Sequence, residues 1–225
     1  MKNTNKTLAV IFDMDGVIID SNPLITVAWK AFFDTHHIEL SDEQLNHYVF
    51  GRTAPETVAM VFPEGLTPEL INGYADEVAT EVRRMYISNG QIVPGFTALV
   101  KDLASHQIPM AIATSAPTEN VKIVLELAGV GDYISIITDA SQVHHSKPHP
   151  EVYLKTAERL GVVPANCCVF EDSFSGIQSA KSAGMSVIGI TTTHSPQELL
   201  LLTDAVIADF THTTLDAIQA LLAKK

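Results

Sequence analysis

Cysteine is nearly absent from this chain of 225 residues, and the two present, Cys167 and Cys168, are neighbours. Adjacent residues on a strand point to opposite faces, so the pair reads as two packed thiols; neither a disulfide framework nor a cysteine-based zinc site is expected. Basic residues are scarce as well: 14 Lys plus Arg stand against 26 Asp plus Glu, a net charge of −12 spread along the chain. Without a basic face the chain has nothing to neutralise a phosphate backbone or an anionic bilayer, which argues against nucleic-acid binding and lipid docking. No apolar run approaches the ~18 residues of a membrane span. The stretch before Asp13 offers only Leu8 to Phe12 where a secretory signal needs ~7–15 apolar residues and a cleavage site, so a cytoplasmic location is expected. Internal repeats and low-complexity tracts are lacking too.

What is there is globular in composition, with 46% hydrophobic and 18% charged residues. The length suits one large α/β domain, or a core of ~150 residues with a smaller insert. Continuous apolar runs at Leu8–Phe12, Met110–Ala113, Ile134–Ile137, Cys167–Phe170 and Val187–Ile190 suit strands buried on both faces, with Ala205–Ala208 a weaker sixth. Helical patterns lie between them: Thr118–Ala128 and Pro150–Leu160, stopped by Gly129 and Gly161, then Ser173–Ala183 before Gly184, and Thr213–Ala223. The alternation predicts an α/β fold with a doubly wound, mostly parallel sheet. Residues 19–91 break it. They carry helical patterns at Leu24–Thr35, Ser41–Val49, Pro55–Phe62 and Pro68–Tyr86 and no convincing strand. The simplest organisation is a helical insert at 19–91 in a core of 1–18 and 92–225. Its hinges would be Asp20–Pro23 and Ser88–Pro94.

Four places at strand ends or helix starts carry chemistry. Asp13 and Asp15, in Phe12-Asp13-Met14-Asp15-Gly16, are paired carboxylates where open α/β sheets bind ligands; a solvated turn would use the same residues. Thr114-Ser115-Ala116 offers a hydroxyl and backbone N–H groups to a phosphate oxygen, or equally a helix cap. Lys147, before Pro148-His149-Pro150, stands in what reads as a rigid extended stretch opening a helix. Glu171 and Asp172 follow the Cys-Cys-Val-Phe strand, where two acids either bind a hard cation or cap a helix.

As an ordered set, DMDGVIIDS, the Thr114-Ser115 pair, KPHP at 147–150 and FEDSFSG at 170–176 resemble the four motifs of the haloacid dehalogenase superfamily. The nearest likeness is its phosphatase and β-phosphoglucomutase-like branch, and it covers essentially the whole chain. The resemblance implies a Rossmann-like core with an inserted α-helical cap and the activity of a phosphoric monoester hydrolase. By the same resemblance Asp13 is the nucleophile, giving an aspartyl-phosphate, and Asp15 the general acid and base. Ser115 and Ala116 hold phosphate oxygens. Lys147 neutralises phosphate charge and lowers the Asp13 pKa. Mg²⁺ is bound by Asp13, Asp172 and the Asp15 carbonyl, with Glu171 a second metal contact, direct or through water. The implied partner is a small phosphorylated metabolite of the sugar or polyol phosphate class; nothing in the sequence specifies an oligomer.

In the cap, Gly51-Arg52-Thr53 resembles a segment that faces the active site in relatives, so Arg52 would clamp a polar group of the substrate or stand as a surface arginine. Arg83 and Arg84 read as a solvated face, His36, His37, His144 and His145 as loop histidines, and Trp29, Phe32 and Phe33 as cap core. β-Phosphoglucomutase, as the family is known, has a cap histidine after the first motif; Leu24 and Ile25 stand at the matching distance here, which favours hydrolysis over mutase chemistry. A dehalogenase is not expected to keep an acid at the Asp15 position. A phospho-accepting signalling domain, the rival of another class, has no use for a ~70-residue cap.

Overall fold

A computed structural model describes residues 8–62 and 65–223. The residues ahead of Leu8, on which the reading of a missing secretory signal partly rests, lie outside the described residues. Six strands form one sheet: β1 (Ala9–Phe12), β2 (Met110–Ala113), β3 (Ile136–Thr138), β4 (Cys167–Glu171), β5 (Ser186–Ile190) and β6 (Ala205–Ile207). Their order is β3-β2-β1-β4-β5-β6 and every pairing is parallel. The sheet is thus wholly parallel where the sequence predicts a mostly parallel one. Its helices are α5 (Phe96–Ser105), α6 (Thr118–Ala128), α7 (Glu151–Leu160), α8 (Phe174–Ser182), α9 (Pro196–Leu200) and α10 (Leu215–Leu222).

The core lies on both faces of the sheet, as continuous apolar strands require. On one face Phe12 packs with Phe96, Phe170 and Phe210, at ring-centroid separations of 5.2, 5.3 and 6.0 Å. On the other, Ala9, Ile11 and Val169 meet Val152 and Tyr153 of α7 and Ile177 of α8. Cys168 belongs to the first cluster and Cys167 to the second, the opposite orientations expected of strand neighbours. Helix α5 is not among the helices that the glycine-stopped patterns predict, although Phe96, Leu99, Val100 and Leu103 are buried on one helical face.

Among the described residues between β1 and α5, the named elements are all helices: α1 (Asn22–Thr35), α2 (Asp42–Val49), α3 (Ala54–Val61) and α4 (Pro68–Asn89). Helix α2 begins with a capping box, the Ser41 hydroxyl accepting from Gln44 N–H while the Gln44 side chain accepts from Ser41 N–H. Trp29, Phe32, Phe33, Phe62 and Tyr74 knit the cap, and His36, in the turn that follows α1 as the sequence predicts, packs among them, 4.4 Å from the Phe32 ring centroid. The two connections to the core run side by side: Ile19 bridges Ile92, Asp20 N–H donates to Gln91 O at 2.8 Å and Val93 N–H to Ile18 O at 2.9 Å. Helix α4 also reaches α6 of the core, where Arg83 donates to Asn120 Oδ1 at 3.2 Å. Arg83 therefore ties cap to core, unlike the solvated face expected of it; Arg84 does lie on the surface, paired with Glu81. No helix among the described residues is long and apolar enough to cross a membrane.

Candidate active site

Strand order reverses between β1 and β4, and a doubly wound sheet opens its ligand crevice at that point. Asp13 follows β1 and Asp172 follows β4, so the topology sets them side by side. Lys147 locks the crevice from below. Its buried ammonium donates to Asp13 Oδ1 at 2.7 Å, Glu171 Oε1 at 2.6 Å and Ala113 O at 3.4 Å, joining the ends of β1, β4 and β2, and it lies 5.0 Å over the Tyr153 ring. Ser146 O accepts from His149 N–H at 2.9 Å around a cis Lys147–Pro148 peptide. The lysine thus stands in a turn closed by that hydrogen bond, where the sequence predicts an extended stretch.

Both oxygens of Glu171 are occupied. Oε1 accepts from Lys147 and, at 2.8 Å, from the Tyr153 hydroxyl; Oε2 accepts from Asp172 N–H, Ser173 N–H and Ser173 Oγ, each at 3.0 Å. A Cβ at Gly176 would overlap this carboxylate, which accounts for the glycine two residues into α8. Asp172 Oδ2 accepts from Asn22 Nδ2 at 3.0 Å and from the Thr193 hydroxyl. Gly16, at φ 76°, passes so close to Asp172 that any side chain would collide with it. Asp15 is held separately: its Oδ1 accepts from Ser21 Oγ at 2.8 Å and from Tyr86 OH, the latter at the C-terminal end of α4.

Charge in this pocket is unbalanced. Asp13, Glu171 and Asp172 bring oxygen atoms within 4.8 Å of one another, three buried carboxylates against one buried ammonium. Burial pushes the Asp13 carboxyl well above its ordinary range; Lys147 pulls it down and Glu171 and Asp172 push it further up. The expected pull of Lys147 is present, but burial outweighs it. Burial, then Glu171, raises Asp172 to about 7. Burial lowers the Lys147 pKa, yet Asp13 and Glu171 together hold it above the ordinary value, so it stays a cation. Two formal negative charges remain, which a divalent ion would neutralise, and the oxygen-only donor set suits a hard cation. Asp13 Oδ2 and Asp172 Oδ1 accept no hydrogen bond from the described residues and are the atoms left for it.

Asp13, Asp15, Ser115, Ala116, Lys147, Asp172 and Arg52 line a single cleft between cap and sheet; Glu171 lies beneath it. Ser115 Oγ donates to Gly51 O of the cap at 3.2 Å, and Ala116 N–H donates to Thr114 Oγ1 at 3.0 Å. Arg52 Nε donates to His47 O at 3.3 Å. The cap also touches the turn holding Lys147, where Ser146 Oγ donates to Glu56. The sequence reading missed Asn22, Tyr86, Tyr153 and Thr193. Ser21 ends the first motif and Asn22 follows it, and both pass for hinge residues; Tyr86 and Tyr153 sit inside ordinary helical patterns and Thr193 in a loop, with no local signal of a site.

Known proteins share this architecture. A model of haloacid dehalogenase-like hydrolases matches residues 10–190. A phosphorylated carbohydrates phosphatase of Thermotoga maritima is 31% identical over 199 residues, 88% of this chain and 92% of that protein. The β-phosphoglucomutase of Bacillus subtilis is 30% identical over 189 residues, 81% of this chain and 82% of that protein. In structure, a family IA haloacid dehalogenase-type hydrolase from Entamoeba histolytica superposes with a TM-score of 0.85 at 30% identity, covering 96% of this chain and 99% of that one. The parallel sheet, the strand-end carboxylates beside a buried lysine and these likenesses agree: the chain belongs to the haloacid dehalogenase-like hydrolase family.

Proposed function

We propose that the protein is a Mg²⁺-dependent phosphatase that hydrolyses a small phosphorylated metabolite through an aspartyl-phosphate on Asp13, with residues 19–91 acting as its cap. The observation that carries this reading is the convergence of Asp13, Asp15, Lys147 and Asp172 on one cleft, where Asp13, Glu171 and Asp172 outnumber Lys147 by two formal negative charges. Asp13, Asp172 and the Asp15 carbonyl would hold Mg²⁺, which when bound neutralises phosphoryl charge and lets Asp13 stay ionised. Glu171 is better suited to orienting Lys147 than to direct metal contact, because both its oxygens already accept hydrogen bonds.

The chemistry then belongs to the chain. An Asp13 carboxylate oxygen attacks phosphorus as the ester P–O bond breaks, and the departing alkoxide takes the Asp15 proton. Water next gives a proton back to Asp15 and attacks phosphorus; the P–O bond to Asp13 breaks and phosphate leaves. Burial raises the Asp15 pKa, the direction a general acid needs, against the Tyr86 and Ser21 hydrogen bonds, which lower it and fix the direction of the carboxyl. Lys147 balances charge on Asp13 and the phosphoryl group, and the Ser115 hydroxyl and Ala116 amide turn from their internal partners to phosphate oxygens. Arg52, with its Nε bonded to a backbone carbonyl, would present its terminal nitrogens to the substrate.

The relatives' names make sugar and polyol phosphates the first class to test. Mutase chemistry is disfavoured by Ile25, which lines the cleft and has no proton to offer. The signalling alternative is disfavoured because the cap closes over the carboxylates. The test is phosphate release across some fifty phosphorylated metabolites, with Mg²⁺ and with chelator. Turnover that vanishes with chelator and returns with Mg²⁺ is expected; undiminished turnover in metal-free buffer would overturn the metal site.

A further inference from the structure

The cleft is charged at the sheet and apolar at the cap. Ile25 and Trp29, one turn apart on α1, and Val78, Ala79 and Val82 on α4 line it, with Val49 at the end of α2. Arg52 has only its Nε bonded and Ser115 lies on the phosphate side; the other polar side chains of the cleft are meanwhile turned toward protein partners. Thr57 Oγ1 donates to Tyr48 O at 2.6 Å, Tyr86 OH to Asp15, Asn22 Nδ2 to Asp172 at 3.0 Å, and Asn120 Oδ1 accepts from Arg83 at 3.2 Å. One buried acceptor in the cleft has no partner among the described residues, Asn22 Oδ1. A sugar brought against this wall would strip several hydroxyls of water with few groups to replace it, whereas aliphatic or aromatic carbon would gain by burial.

We propose that the cap wall selects phosphate esters whose alcohol is apolar on the side away from phosphate, whether alkyl, deoxy or aromatic, over polyhydroxylated ones, with Asn22 Oδ1 accepting from a single donor. The selection rests on the phosphatase reading for the chemistry of the site, but binding reports it without turnover.

The experiment titrates the protein, with Mg²⁺ present, with non-hydrolysable n-alkylphosphonates from methyl to butyl and with trihydroxybutylphosphonate, reading Kd by calorimetry. Each added methylene should tighten binding about fourfold, the fold-change that corresponds to ~0.8 kcal/mol per buried CH₂. Butylphosphonate should then bind roughly 60-fold tighter than methylphosphonate, and the trihydroxy analogue no tighter than methylphosphonate. Binding that is flat with chain length or absent, or a trihydroxy analogue that binds as tightly as the butyl compound, would overturn the proposal. Acetyl phosphate, whose acetyl group is too small to span the wall, is assayed in parallel: its failure to be hydrolysed would count against the phosphatase reading, while the phosphonate series still decides the wall.

Discussion

The sheet end of the cleft and its cap end are built on opposite principles. At the sheet, buried charged groups hold one another: Lys147 meets two carboxylates, and Glu171 accepts five hydrogen bonds. At the cap, helix faces present Ile25, Trp29, Val78 and Val82, and Tyr86 alone of α4 extends a hydroxyl to the chemistry. Chemistry common to many esters needs charges fixed to a fraction of an ångström, which strand ends provide; discrimination among alcohols needs a surface that changes without disturbing them. A lesion at the sheet should therefore damage stability and reaction together, and one at the cap should separate them.

Lys147→Met tests the first half with the largest expected effect. It leaves three carboxylates buried without their cation, so unfolding free energy should fall by ~3–5 kcal/mol in chelator and turnover should be lost. Denaturant unfolding within 1 kcal/mol of the wild type would mean that the lysine does not balance the site.

Tyr86→Phe tests the second half. The lost hydrogen bond to Asp15 should lower kcat for alkyl esters by ~10–100-fold, the range for bonds to a charged group, with a much smaller loss for acetyl phosphate, whose leaving group needs no proton. Thermal unfolding should move by only a few degrees. Equal loss on both substrates would make Tyr86 structural and blur the contrast between the two ends.

A smaller effect concerns pH. In the metal-free protein Asp172 rises from an ordinary 3.8 to about 7, and Asp13 shifts the same way. Between roughly pH 4 and 7 the folded chain keeps protons that the unfolded chain has released, so stability falls as pH rises through that window. Glu151 shifts oppositely, down to about 2, and acts only below it. Chelated protein should melt at a higher temperature at pH 5 than at pH 8, and excess Mg²⁺ should close most of the gap by replacing the lost protons. A melting point higher at pH 8 without metal would contradict the account of the carboxylate cluster.

What the sequence disclosed follows the same division. Strands buried on both faces leave unbroken apolar runs, and residues that must sit at their ends are adjacent in sequence, so Asp13, Asp15, Ser115, Lys147 and Asp172 were legible as motifs. Tyr86 and Asn22 reach the same carboxylates from 71 and 150 residues away, and only the folded cap brings them there. Glu171 was legible as an acid but not as the partner of Lys147 and Tyr153, because that depends on how α7, packed on β2 and β3, brings Tyr153 to the end of β4. The cap wall was the least legible, since Trp29 or Val82 on a helix reads as core whether or not it also faces a cleft.

In the proposed reaction Asp13 carries the phosphoryl group and Asp15 the proton, and Asp15→Asn separates the two roles. With acetyl phosphate this variant should still be attacked by Asp13, yet fail to activate water, so product should appear in a burst of about one equivalent and then stall. Intact-protein and peptide mass spectrometry should find one phosphoryl group, on Asp13, in Asp15→Asn and none in Asp13→Asn. Label on any other residue, or steady turnover by Asp13→Asn, would contradict the account.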